Sequence, residues 1–156
     1  CSSDLMERGD LPVVGVTEMA ISDDFLRQVR SDFDVKLRLP KSDEWRAFAA
    51  AGEPDPFCFG AEFPERHLQD FGWYALNAGG RAQPVAGLRP NRWGLFDVHG
   101  NVAERCAADR NGMTEARGGA FHSSIDDCRL DDGDGLLASQ LFDWLGFRLV
   151  ADELPE

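Results

Sequence analysis

The stretch that most constrains this chain runs Pro90-Asn91-Arg92-Trp93-Gly94-Leu95-Phe96-Asp97-Val98-His99-Gly100-Asn101-Val102-Ala103-Glu104. Gly94 and Gly100 bracket the apolar residues Leu95, Phe96 and Val98, a pattern that predicts a strand or extended segment entering a core. Asp97, Asn101 and Glu104 then place oxygen-bearing side chains within eight residues, beside a glycine that lets the backbone turn. Hard cations such as Ca²⁺ want that mixture of carboxylates and exposed carbonyls. The same spacing also describes a Gly-Asn turn with a solvated face, and on the residues alone both readings stay open.

The length, 156 residues, suits one domain with a buried core. Sixteen glycines and eight prolines predict many turns and little long helix. No run approaches the ~18 apolar residues of a membrane-spanning helix, so no membrane span is expected and the composition reads as soluble. The net charge of −12 disfavours nucleic acid, whose phosphates need clustered Lys and Arg, and favours cations or basic partners. Cys1, Cys58, Cys106 and Cys128 form no CxxC pair, which disfavours a zinc knuckle, and they are too few for a disulfide-dense scaffold. Cys1-Ser-Ser reads either as the lipidated start of a mature, secreted lipoprotein or as the edge of a fragment, which leaves the compartment open.

Along the chain, residues 1–10 read as a polar lead-in and Leu11–Val16 as a short strand. Thr17 is placed to cap a helix carrying Ile21, Phe25, Leu26 and Val29, followed by a polar break at 31–34. Val35, Leu37 and Leu39 alternate with Lys36 and Arg38, which predicts a half-buried strand ended by Pro40. A helix over about 41–51 follows, with Asp43 and Glu44 in its first turn, Trp45, Phe48 and Ala49 inward, and Gly52 as its stop. From Glu53 to Pro90, five prolines and scattered glycines predict long loops pinned by Phe57, Phe59, Phe63, Phe71, Trp73 and Tyr74. Leu141–Val150 closes the core through Phe142, Trp144, Phe147 and Val150, with 151–156 as a tail and no second domain.

The opening block resembles the signature of the formylglycine-generating enzyme (sulfatase-modifying factor) family. Leu39-Pro40 with Glu44-Trp45, Trp73-Tyr74 with Asn77 and Gly79-Gly80, Pro84-Val85, Arg117-Gly118-Gly119 and Gly146-Phe147-Arg148 fall in that family's order over roughly 11–150. The resemblance implies a loop-rich α+β fold of the C-type-lectin-like kind, with short helices and small antiparallel sheets. It also implies an N-terminal sheet element, Gly-Gly-x-Phe-x-Met-Gly, that this sequence does not contain.

The family's enzymes oxidise a cysteine of a client sulfatase, using copper(I) held by two cysteines. Those positions fall on Ser123 and Cys128 here, and an active-site serine falls on Ala120. Soft thiolates suit copper(I) and a hydroxyl does not, so copper is not expected and catalysis is disfavoured. The iron-dependent branch needs a His-x-x-x-His-x-Glu cluster, which the scattered His67, His99 and His122 do not make. The resemblance further implies a calcium site on Asp97, Gly100, Val102 and Glu104, against the competing account that Glu104 pairs with an arginine and Asp97 caps the turn.

A third branch, which includes the variable proteins of diversity-generating retroelements, uses the fold for binding. On that reading residues 120–145 form a surface with His122, Asp126, Asp127, Asp131, Asp132, Asp134, Phe142 and Trp144. The five carboxylates within 126–134 read either as a solvated loop or as a docking surface for a cation or a basic protein or small ligand. Phe142 and Trp144 read either as packing or as binding anchors. The sequence therefore predicts a non-catalytic binding or accessory domain, with a copper-dependent oxidase as the alternative.

Overall fold

Thr17 caps the first helical turn, α1 (Glu18–Ala20), its Oγ1 accepting the Ala20 N–H at 3.1 Å. The structure, a computed structural model, describes residues 10–21, 25–28 and 36–152. Residues 26–28 are helical as predicted, whereas Val29, Val35 and the polar break at 31–34 lie outside the described residues. Two longer helices, α2 (Ser42–Ala50) and α3 (Pro64–Phe71), follow, and Asp126–Cys128 forms one turn of 3-10 helix. The described strands are β1 (Leu37–Arg38), β2 (Gly72–Trp73), β3 (His99–Gly100), β4 (Ala103–Arg105), β5 (Met113–Arg117), β6 (Gly133–Leu137), β7 (Leu145–Phe147) and β8 (Val150–Ala151).

They make one four-stranded sheet, ordered β6-β5-β4-β7, and the two-stranded pairs β1-β8 and β2-β3. The expected antiparallel pairing holds for β1/β8, β4/β5 and β5/β6, but β2/β3 and β4/β7 are parallel. Long connections permit this, because parallel neighbours need a crossover rather than a hairpin.

Several local predictions are corrected. Residues 11–16 join no sheet; Gly15 donates to the Leu145 carbonyl at 3.3 Å, and Pro12 has no N–H to give. Leu95–Val98 joins no ladder, with Asp97 left-handed at φ 56°, and the strand begins at His99. Helix α2 ends at Ala50, and its left-handed cap is Ala51, at φ 51°, one residue before the predicted glycine. The expected loop between 53 and 90 contains α3 and β2. Pro64 at the first helical position, where a missing N–H costs nothing, was its signal. At the C-terminal end, Ala151 pairs with Leu37, and the Asp152 carboxylate meets Arg38 Nε at 2.5 Å and Lys36 Nζ at 2.8 Å.

Three clusters form the core. Trp45 and Ala49 of α2 pack on Val98, Cys106 and Leu130. Leu68 of α3 packs on Phe57, Tyr74 and Cys128, and the Phe57 and Phe59 rings stack at 5.1 Å, pinning the long loop as predicted. Ala103, Ala116, Ala120, Leu136 and Leu145 form the third, with Phe142 and Trp144 half-buried against it.

Gly100 shows why the signature needs a glycine at the end of β3. Its φ is +72°, and a Cβ there would lie 2.0 Å from the Trp73 carbonyl oxygen across the parallel pair.

Candidate functional site

The third cluster is built from small residues, and this opens a hollow above it. Ala103, Ala116, Gly119 and Ala120 floor a cavity of about 220 Å³, walled by His122, Ser123, Trp144, Asp127, Asp132, Gly133 and Asp134. Six residues expected at the site from sequence thus meet there: Ser123, His122, Asp127, Asp132, Asp134 and Trp144. Asp126 and Asp131 lie outside it, facing a shallower depression shared with Arg129. Phe142 backs the wall instead: its ring stacks on Trp144 at 4.6 Å and 18°. The His122 ring meets Trp144 nearly at right angles, 5.7 Å away.

The charge around the cavity is one-sided. Asp127 Oδ2 accepts from the Ser124 hydroxyl at 2.8 Å and its N–H at 2.9 Å, and these bonds hold the carboxyl below its ordinary range. The Asp132 and Asp134 carboxylates make no hydrogen bond or ion pair among the described residues. The neighbouring cations are committed elsewhere. Arg117 donates to Glu115, Ser42 and the Leu130 and Asp132 carbonyls, while Arg129 is forked onto Asp131 at 3.0 Å.

Behind this wall sits Cys128, fully buried, and burial pushes its thiol up to about 12. Ser123 Oγ accepts the Ala120 N–H at 3.0 Å, and Ala120 is itself buried. One neutral, packed thiol and one hydroxyl engaged by a backbone N–H are donors that do not fit copper(I). His99 is fully buried: its Nε2 accepts the Cys58 N–H at 3.1 Å. That leaves the proton on Nδ1, which donates to the Cys128 carbonyl at 2.8 Å. Burial pulls its pKa down to about 4, so it is a neutral structural brace.

The opening block lines a second cavity, about 420 Å³, which brings Asp97, Val102 and Glu104 together with Pro12, Val85, Leu95 and Phe147. Gly100 stands apart in the β2/β3 ladder. Arg148 holds the Glu104 carboxylate at both oxygens, 2.7 Å from Nη2 to Oε1 and 2.9 Å from Nε to Oε2. Trp45 Nε1 adds a third bond, 2.7 Å to Oε2. Asp97 Oδ2 accepts the Ala86 N–H at 2.7 Å, while Oδ1 is buried with no hydrogen-bond partner. Desolvation raises the Asp97 carboxyl above its ordinary range. With both Glu104 oxygens bonded to cationic or N–H donors, this arrangement as it stands does not present a calcium ligand set.

The alanine floor was missed from sequence. Short side chains at Ala103, Ala116 and Ala120 were a visible signal, but only pairing of β4 with β5 brings the first two together.

Short helices and small mixed sheets linked by ordered loops define a formylglycine-generating-enzyme-like, C-type-lectin-like domain. The chain belongs to the sulfatase-modifying factor enzyme 1-like domain family, which it matches over residues 1–153. Among solved structures it is similar to variable protein 1 of Treponema denticola, at 29% identity and TM-score 0.66, covering 74% of this chain and 47% of that one. It is also similar to PvdO from Pseudomonas aeruginosa at 21% identity and TM-score 0.81, covering 91% of this chain and 62% of PvdO. CarF, at 21% identity and TM-score 0.72, is covered to 70% by 96% of this chain. The chain thus spans between about half and two-thirds of the first two. Comparison with curated proteins gives no match. No helix among the described residues is long and apolar enough to cross a membrane.

Proposed function

We propose that this chain is a binding domain rather than an oxidase, and that its ligand-facing surface is the face made by residues 120–145. The observation that carries the reading is the chemistry at the family's copper positions. Cys128 is buried with its thiol pushed up to about 12, and Ser123 supplies a hydroxyl already engaged by the Ala120 N–H. Copper(I) chemistry needs accessible thiolates, and this arrangement disfavours them. The hollow over Ala103, Ala116 and Ala120 supports the second half of the reading, because a concave site with a few polar groups is where ligands bind. The likeness to a variable protein at 29% identity is consistent with such a use.

Mapping of peptide and fragment binding by amide chemical shifts tests this directly. Shifts should concentrate on residues 103, 116, 119–134 and 144. Hits confined to the cavity beside Asp97, or scattered evenly, would count against a ligand face at 120–145.

A further inference from the structure

We infer that the hollow over Ala103, Ala116 and Ala120 seats an alkylammonium group, the lysine side chain of a protein partner. This rests on the binding-domain reading and adds the chemistry of the ligand. Three independent features of the cavity converge on that class.

The first is shape. Alanines and glycine floor the space, leaving about 220 Å³, room for an extended side chain rather than a flat surface contact. The second is the wall. Trp144 lines the cavity with Phe142 stacked at 4.6 Å and His122 set across it at 5.7 Å, so the indole is held rigidly by its neighbours. Tryptophan is the strongest aromatic partner for a cation, and a methylene stem packs well against the same ring. The third is the charge. Asp127, Asp132 and Asp134 bring three carboxylates to the lining, and no Lys or Arg lines it.

The carboxylates also set the preference within cations. The two Asp127 contacts to Ser124 both fall on Oδ2, leaving Oδ1 for a ligand, and Asp132 and Asp134 carry no partner among the described residues. An ammonium is a compact charge with three separately directed N–H donors, which can turn toward whichever carboxylate lies nearest. A guanidinium presents a planar fork that favours one coplanar carboxylate, as Arg129 shows on Asp131. Arg117, the cation nearest in the sheet, is tied to Glu115 and Ser42 and does not fill the site from within.

The test is a titration of the whole chain with Nα-acetyl-lysine methylamide, followed by the backbone amides of Ala103, Gly119 and Ala120. The norleucine and arginine analogues serve as comparison probes. The lysine probe should saturate these shifts with an affinity that weakens as salt rises, while the neutral norleucine probe should leave them unchanged. Trp144→Ala should weaken binding about tenfold through loss of the cation–π face. Asp134→Asn, at an exposed position that the fold does not depend on, should weaken it about fivefold. Equal binding of the norleucine probe overturns the cation, and tighter binding of the arginine probe overturns the ammonium. Either result leaves the 120–145 face standing as a binding surface. Shifts from all three probes that fall beside Asp97 would overturn both readings.

Discussion

Arg148 and Glu104 are joined by two parallel hydrogen bonds, 2.7 and 2.9 Å, between the last core strands and the signature block. The pair fixes the β4–β7 register from the side, since β4 carries Glu104 and Arg148 directly follows β7. Glu104 is only 6% exposed, so removing its partner leaves a buried carboxylate uncompensated. Arg148→Met should therefore cost about 3 kcal/mol, at the low end for a broken buried pair because Arg148 retains some solvent contact. A urea midpoint unchanged from the native protein would contradict it. Because donors already hold both Glu104 oxygens, the melting temperature should also be equal in chelator and in millimolar calcium. A rise with calcium would show that the ion displaces the guanidinium and that Asp97 Oδ1 serves it.

The two glycines of the opening block should respond unequally to substitution. Gly94 has φ +84° but nothing within 4 Å of an added Cβ, so Gly94→Ala should cost only the left-handed penalty, about 1–2 kcal/mol. At Gly100 the same methyl meets the Trp73 carbonyl at 2.0 Å, which forces β2 and β3 apart. Gly100→Ala should lose several times as much stability or fail to fold. Comparable melting temperatures for the two variants would refute the close approach.

Much of the fold was legible because its signals are local. Thr17, Pro40 and the inward pattern of Trp45 and Ala49 each act within a turn or two of themselves. What stayed hidden depends on long-range pairing. Two-residue strands such as β2 and β3 have no periodicity to read, and their parallel register exists only because Gly72 can lie against the His99 backbone and Gly100 against that of Trp73. The candidate site divides the same way. His122, Ser123, Asp132 and Trp144 were named from sequence, whereas the hollow they surround comes from alanines on neighbouring strands. The role of His99 was hidden too, since only the folded chain brings the Cys58 N–H and the Cys128 carbonyl to its two nitrogens.

That brace predicts a pH response. The His99 pKa is pulled down to about 4 in the folded state, against ~6.5 when unfolded, so the unfolded chain binds the proton first. Stability from this group is intact above pH ~6.5 and falls as pH drops toward 4, by about 3 kcal/mol in all. In an NMR titration the His99 ring should stay neutral down to pH 5. A midpoint near 6.5 would mean the ring is solvated or differently bonded.

Cys128 should behave as a packed side chain. With its thiol pushed up to about 12 and no exposed surface, alkylation by iodoacetamide at pH 8 should proceed only at the rate at which the protein unfolds. Rapid labelling of Cys128 in the native state would indicate an accessible thiolate and reopen the oxidase reading.

The most direct measurement of the central claim is the fate of a cysteine-containing sulfatase peptide incubated with the protein, copper(I) and oxygen, read by mass spectrometry. A binding domain with a single buried thiol at the copper positions should leave the peptide cysteine as it was, at the level of buffer alone. Conversion of that cysteine to formylglycine, with turnover proportional to protein concentration, would contradict the account.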